Sequence, residues 1–195
     1  MCPGYGYSDV SPSEQLCYRI SFDLKSFRVY KSLAWLNDLS VDKAEAAFAD
    51  CCGSTRWAQR MAAERPFRML EDLYTSAEAL WFSSTPSDWL EAFSAHPKIG
   101  STASKTSRSG KWSAGEQAEA SQASDDVKER LTDANRLYEE KFGFIFIVCA
   151  TGRTAEDLLA NCLARLGNSV ADEIKIAAAE QHRITELRLN KLLEK

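Results

Sequence analysis

Histidine is scarce in this chain: His96 and His182 are the only two among 195 residues. The six cysteines form no CxxC pair, and with so few histidines no zinc-ligand spacing can be assembled. No apolar run approaches the roughly 20 residues that a membrane-spanning helix needs. The longest, Phe142 to Ala150, is interrupted by Gly143. A basic stretch followed by an apolar one is missing at the start, so no secretory signal is read there. Leu193-Glu194-Lys195 is neither a prenylation box nor a peroxisomal SKL-type ending. Positive charge is not in excess either: Lys plus Arg total 24 against 28 Asp plus Glu, a net charge of −4. That balance excludes nucleic acid as the main partner, because it offers no broad attraction to phosphate. Gly110-Lys111 is followed by Trp112 and lacks the upstream glycine of a phosphate loop, and neither GxSxG nor GxGxxG occurs.

What remains is the composition of a globular protein, 45% hydrophobic and 10% aromatic, at a length that favours one domain. Such a chain does not need disulfide staples. Cys2, Cys17, Cys51, Cys52, Cys149 and Cys162 are therefore read as reduced thiols. Residues 1–31 mix Gly, Pro and polar residues without a lasting period and read as an N-terminal extension, poorly ordered. From Ser32 the pattern is helical through residue 195. Ser40 suits the start of a helix burying Ala44, Ala47 and Phe48, and Ser54 one burying Trp57, Ala58 and Met61. Arg65-Pro66-Phe67 breaks the chain, and a helix from Met69 to about Phe82 follows. Thr85-Pro86-Ser87-Asp88 is a strong helix start, with Trp89, Leu90 and Phe93 on the buried side. Gly100 to Gly115 is a Ser- and Lys-rich loop, long enough to suggest function. Ser113 opens a short helix, and Ser124 one carrying Val127, Leu131, Ala134 and Tyr138 up to Gly143. The strand-like run Phe144 to Val148 has no partner strand and reads as a buried extended segment. Thr154 starts a helix through Leu158, Leu159 and Leu163, and Ser169 one reaching about Leu193. The expected fold is an all-α, single-domain bundle of seven or eight helices.

Three places could carry chemistry. His96, fixed by Pro97 at a helix end, has the pKa range for proton transfer near neutrality; the bland alternative is a cap on the preceding carbonyls. Ser113-Ala114-Gly115-Glu116-Gln117 fits a capping box, yet the same helix start could offer N–H groups, a carboxylate and an amide to a ligand. On the last helix Val170, Ile174, Ala177, Gln181, Ile184, Arg188 and Leu192 fall on one stripe. Arg188 in that apolar stripe needs an anion: a structural salt bridge or a substrate carboxylate. His182 lies off the stripe's centre, at its boundary. Cys149 among apolar neighbours is a poor nucleophile.

At these residues the chain resembles the 2-oxo-4-hydroxy-4-carboxy-5-ureidoimidazoline (OHCU) decarboxylases, and in particular the decarboxylase half of plant bifunctional allantoin synthases. The carriers are Arg65-Pro66-Phe67, AHPKIG at Ala95 to Gly100 and SAGEQ at Ser113 to Gln117. KFGFIFIVCA at Lys141 to Ala150, Arg165-Leu166 with Asn168, and ITELRL at Ile184 to Leu189 complete the set. Each is weak alone; their order across about residues 33–193 is specific. The resemblance implies an all-α bundle, a homodimer and no cofactor, with conversion of the ureidoimidazoline to (S)-allantoin in urate breakdown. It implies catalytic roles for His96, Glu116 and Arg188. It implies substrate contacts from Pro97, Ser113, Gln117 and the segment Phe146, Ile147, Val148, Cys149 and Ala150. A small anionic substrate, a functional link to a transthyretin-like hydroxyisourate hydrolase, and a peroxisomal or cytoplasmic location without membrane contact follow from the same likeness. Ile145 stands where many members carry proline. The hydrolase domain of the plant fusions has no counterpart here, so a stand-alone enzyme and a piece of a fusion both stay open. The competing readings are a non-catalytic helical assembly module and a cofactor-free lyase for another ureido acid.

Charge along the chain agrees with an anionic ligand. No Asp or Glu occurs from Ala92 to Ser113, a window holding His96, Lys98, Lys105, Arg108 and Lys111. An anion would meet locally basic ground there.

Overall fold

Short hydroxyl side chains start most of the helices. The computed structural model describes residues 31–98, 112 and 123–194. Helix α1 covers residues 31–38; α2 is Val41–Cys52, α3 Thr55–Ala63, α4 Leu70–Phe82 and α5 Pro86–Ser94. After the undescribed stretch come α6 (Asp125–Phe142), α7 (Ala155–Arg165) and α8 (Val170–Leu193). Ser54, Thr85, Ser124, Thr154 and Ser169 each accept a bond from an N–H of the first turn that would otherwise lack a partner. Asp88 and Asp157 reciprocate, closing capping boxes with Thr85 and Thr154. Gly53 and Gly143 end α2 and α6 in the left-handed conformation that glycine adopts without strain.

Among the described residues there is no strand, and the architecture is all-α. The segment 144–150 runs between helices as neither helix nor ladder, with Phe144, Phe146, Ile147, Val148 and Ala150 buried. The long α8 is the spine, packed against α2, α4 and α5, while α6 pairs with α7. Tryptophans tie the layers together. Trp57 Nε1 donates to Ala77 O (3.1 Å), Trp81 Nε1 to Ala178 O (2.8 Å) and Trp89 Nε1 to Trp81 O (3.0 Å). Trp57 and Trp81 are buried and Trp89 half-buried, each without orphaning its polar handle. At the Arg65-Pro66-Phe67 break, the Arg65 guanidinium collects the carbonyls of Leu36 (2.9 Å) and Leu39 (2.7 Å) at the end of α1. Asn37 meanwhile exchanges two hydrogen bonds with the Phe67 backbone. These bonds hold α1 onto the α3–α4 connection.

Several sequence expectations need correction. Ser40 occupies the N-cap of α2, but its side chain makes no capping bond. Leu90 is 40% exposed, because the nine-residue α5 turns inward on Ala92 and Phe93, with Trp89 half-buried one turn earlier. Leu163 is 46% exposed; the α7 stripe runs through Ala155, Leu158, Leu159 and Cys162, and Leu163 lies about 100° past it. Val170 is 54% exposed at the first turn of α8, so the apolar stripe begins lower on the helix. Trp112 is helical and half-buried against the core, while the helix start expected at Ser113 lies outside the described residues. The extension proposed for residues 1–31 lies outside the described residues except at Lys31, which is helical.

Candidate functional site

Helix α5 carries His96 to its place. Its last turn closes through the Ala95 and His96 amides on Ala92 O and Phe93 O, the latter at 3.1 Å. Pro97 then prevents further helix. His96 and Pro97 are half-buried, and the His96 Nε2 atom has no contact with solvent. Beyond them Lys98 pairs with Glu139 of α6 at 2.6 Å. The end of α5 is also fixed from behind. Gly53 (φ +85°) lies so close that an added Cβ would sit 2.7 Å from the Ala95 Cβ. Only glycine allows both that conformation and that approach.

The residue before Gly53 faces the last helix. Cys52 is buried, and burial pushes its thiol up to about 12; the Ser54 amide, the Thr185 hydroxyl and the Arg188 charge oppose this only partly. The thiol is thus neutral at physiological pH. Gln181 Nε2 donates to Cys52 O (3.4 Å) and to Thr185 Oγ1 (3.3 Å), while Thr185 Oγ1 donates to Gln181 O (3.0 Å). Gln181 Oε1 is buried with no hydrogen-bond partner among the described residues. Arg188, 3% exposed, stands within electrostatic reach of this neutral group. The corner Cys52-Gly53 therefore touches α8 near Arg188 on one side and the His96 end of α5 on the other.

The segment 144–150 is the third part. The Phe93 and Phe144 rings meet at 5.4 Å, so its beginning packs against α5. Its backbone is then held by side chains. Arg165 Nη1 donates to Ile147 O (2.9 Å), and Arg165 Nε donates to Glu173 Oε1 (2.7 Å). Glu173, fully buried, also accepts from the Tyr138 hydroxyl and from Asn168 Nδ2 (2.6 Å). Burial and the bond to Glu173 push the Tyr138 phenol above its ordinary range. Two residues past Ile147, the Cys149 amide donates to Glu180 Oε2 at 2.8 Å.

The Cys52-Gly53 corner thus links the α5 end that carries His96 and Pro97 to α8 near Arg188, and Phe144 packs the beginning of the segment that carries Phe146 to Ala150 against α5. Ser113, Glu116 and Gln117 lie outside the described residues. His182, as expected, is not drawn into this group: its ring packs on Phe82 at 5.3 Å, and Nε2 is 3.6 Å from Glu186. A surface cleft of about 420 Å³ lies along another face of α8, lined by Tyr74, Cys149, Arg183, Glu186, Leu187 and Asn190. It shares only Cys149 with the expected site. Among the described residues no three His, Cys, Asp or Glu side chains converge to hold a metal ion. Sequence reasoning gave no role to Cys52, Gly53, Thr185, Glu173 or Glu180. A glycine directly after a helix marks Gly53, but an acidic residue on a long helix carries no signal of burial.

Comparison with known proteins sets this geometry in context. Residues 37–190 match the family model described as OHCU decarboxylase. The chain is 41% identical over 158 residues to the uric acid degradation bifunctional protein TTL of Arabidopsis thaliana, covering 79% of this chain and 48% of that one. It therefore spans about half the length of this plant relative. With the 2-oxo-4-hydroxy-4-carboxy-5-ureidoimidazoline decarboxylase of Haloferax volcanii it shares 28% identity, over 81% of this chain and 94% of the other. Among solved structures, an OHCU decarboxylase crystallised in the presence of (S)-allantoin superposes with a TM-score of 0.67 at 39% identity. That match covers 76% of this chain and 97% of the other. An (S)-allantoin synthase structure, at 18% identity and a TM-score of 0.63, shares the fold.

Proposed function

Because the chain belongs to the OHCU decarboxylase family, we propose that it converts the ureidoimidazoline to (S)-allantoin without a cofactor, in urate breakdown. The observation that carries this reading is the family match over residues 37–190, which spans both His96 and Arg188. The convergence of their helices on Cys52-Gly53 supports it.

Decarboxylation breaks the bond from the ring carbon to its carboxylate, releases CO₂ and leaves an electron pair on that carbon. The neighbouring imine or carbonyl system of the ring accepts the pair, and a proton delivered to one face completes the product. The protein must orient the carboxylate, stabilise the developing anion and control that face. In this reading His96 is the acid/base acting on the hydroxyl beside the leaving carboxylate. Its rigid seat between α5 and Pro97 limits the directions its ring can take. The planar guanidinium of Arg188 anchors anionic oxygens in two-point geometry. Glu116 receives the ureido N–H groups. Pro97, Ser113, Gln117 and the backbone of Phe146 to Ala150 surround the ring.

The catalytic domain in this proposal is residues 32–195, with residues 1–31 as an extension. A homodimer is its working state, and a hydroxyisourate hydrolase, supplying the preceding step, is its functional partner. A peroxisomal or cytoplasmic location accords with Cys51, Cys52, Cys149 and Cys162 forming no disulfide among the described residues. No helix among the described residues is long and apolar enough to cross a membrane.

The test follows consumption of freshly generated substrate together with the optical activity of the allantoin formed. The wild-type chain should yield the S enantiomer in excess. His96→Asn, with unchanged circular dichroism, should lose at least about 100-fold in turnover. Wild-type turnover in that variant would remove His96 from the acid/base role. Turnover of another ureido acid in preference to this one would redirect the substrate assignment.

A further inference from the structure

We propose that Glu180 is a positioning residue for the decarboxylation: its carboxylate holds the Cys149 amide and so sets which backbone atoms of residues 146–150 face the substrate. The proposal rests on the reading that this segment lines the substrate pocket.

Among the described residues there is no strand beside the segment, and its buried backbone groups find partners in side chains. Two are taken by side chains, the carbonyl of Ile147 by Arg165 and the amide of Cys149 by Glu180. These two bonds bracket Val148 and fix the rotation of the chain between them. In the proposed reading this sets which N–H and C=O groups meet the C=O and N–H of a ring amide or ureido group. Releasing the Cys149 amide would free the segment to rotate and scramble that presentation.

Glu180 is built for a fixed hold. Its side chain is 12% exposed, and Arg183 pairs with it at 2.8 Å, with Arg153 at 3.8 Å. An ionised acceptor makes the shorter, stronger kind of bond to an amide. Its place on the chain matters as well. Glu180 precedes Arg188 by eight residues on α8, roughly 12 Å along the axis. The backbone edge and the guanidinium are therefore referenced to one rigid element. Arg165 and Glu173 supply the second anchor, but Glu173 is shared with Tyr138 and Asn168 in a cluster that also joins α6 to α7.

Steady-state kinetics on the full chain, combined with amide hydrogen exchange, test this. Glu180→Ala should raise KM about tenfold while kcat stays within about threefold, and the Cys149 amide should lose protection. Glu180→Gln keeps an oxygen for the amide and should stay within about threefold of wild type in KM. Leu36→Ala, a core substitution on α1, should lower the melting temperature without raising KM, separating positioning from general destabilisation. If Glu180→Ala does not fold, Glu180→Asp, which withdraws the carboxylate by one methylene, should show the same KM rise in smaller measure. A wild-type KM in the folded Ala or Asp variant overturns the proposal. So does Glu180→Gln if it is as impaired as Glu180→Ala, since the effect would then follow charge rather than the amide bond. A wild-type chain that leaves the ureidoimidazoline intact overturns the functional reading itself, a result distinct from normal KM in the variants.

Discussion

Helix α8 carries two buried polar groups that differ in kind. Near its start, Glu173 meets Arg165, Tyr138 and Asn168, and both carboxylate oxygens are engaged by protein donors. Charge and hydrogen bonds balance inside the protein, with Arg165 also stacked 4.8 Å from the Phe146 ring. Further along, Arg188 stands near a neutral thiol, while the adjacent Gln181 leaves one amide oxygen without a described partner. A buried group whose needs are met internally serves the fold. In the proposed function Arg188 takes the carboxylate of the substrate, a role that no side chain of the Glu173 cluster is given. The two clusters share a helix and differ in the role the proposal assigns them.

That contrast can be broken first at Glu173. Glu173→Leu strands the Arg165 charge in the core and should cost about 3–5 kcal/mol of stability, read from urea unfolding. Its kcat should stay within about threefold of wild type wherever the chain remains folded, with any change confined to KM through the Ile147 anchor. If stability is retained and activity vanishes, the two clusters are not different in kind. Arg188→Lys makes the reverse test. It should lower kcat/KM about 100-fold with a melting temperature near wild type, because an ammonium cannot reproduce two-point contact with a carboxylate. The exposed Arg136→Lys, paired with Glu140 on α6, is the comparator. Equal activity in the two would make Arg188 another internal ion-pair residue.

The smallest effect is expected at Asp88, which belongs to neither cluster but starts the helix ending at His96. Burial pushes the Asp88 carboxyl up, yet the Thr85 amide and hydroxyl and the Arg56 and Arg60 charges outweigh it and hold it below its ordinary value of 3.8. A depressed folded-state pKa gives stability that is present above the unfolded value and lost as pH falls through the folded one. Asp88→Asn should therefore cost about 0.5–1 kcal/mol near neutrality. The difference from wild type should shrink below about pH 4 in thermal melts across pH. Activity should be unchanged, since the Gly53–Ala95 contact still seats the far end of α5.

The helices were legible because their signals are local. Ser54, Thr85, Ser124, Thr154 and Ser169 announce helix starts by chemistry confined to one turn, and Gly143 announces an end in the same way. Arg188 was legible as a candidate because a guanidinium in an apolar stripe contradicts its surroundings at helical spacing. Glu173 and Glu180 were not, since an acidic residue on a long helix ordinarily faces water. Glu173 is buried and Glu180 half-buried because Arg165, Tyr138 and the 144–150 backbone reach them from distant parts of the sequence. Leu90, Leu163 and Val170 failed in the opposite sense: apolar character says a residue can be buried, not that a neighbour will arrive to cover it.

The scarcity of histidine had the same double nature. The sequence alone determined the helical elements, the exclusion of a zinc-ligand spacing and the short set of groups able to carry chemistry, because each depends on residue type and near spacing. Only the tertiary structure decided that the corner Cys52-Gly53 joins the His96 end of α5 to α8, and that Glu180 and the Glu173-paired Arg165 hold the backbone of the segment 144–150. Those arrangements depend on contacts between residues far apart in the chain, and no local propensity encodes them.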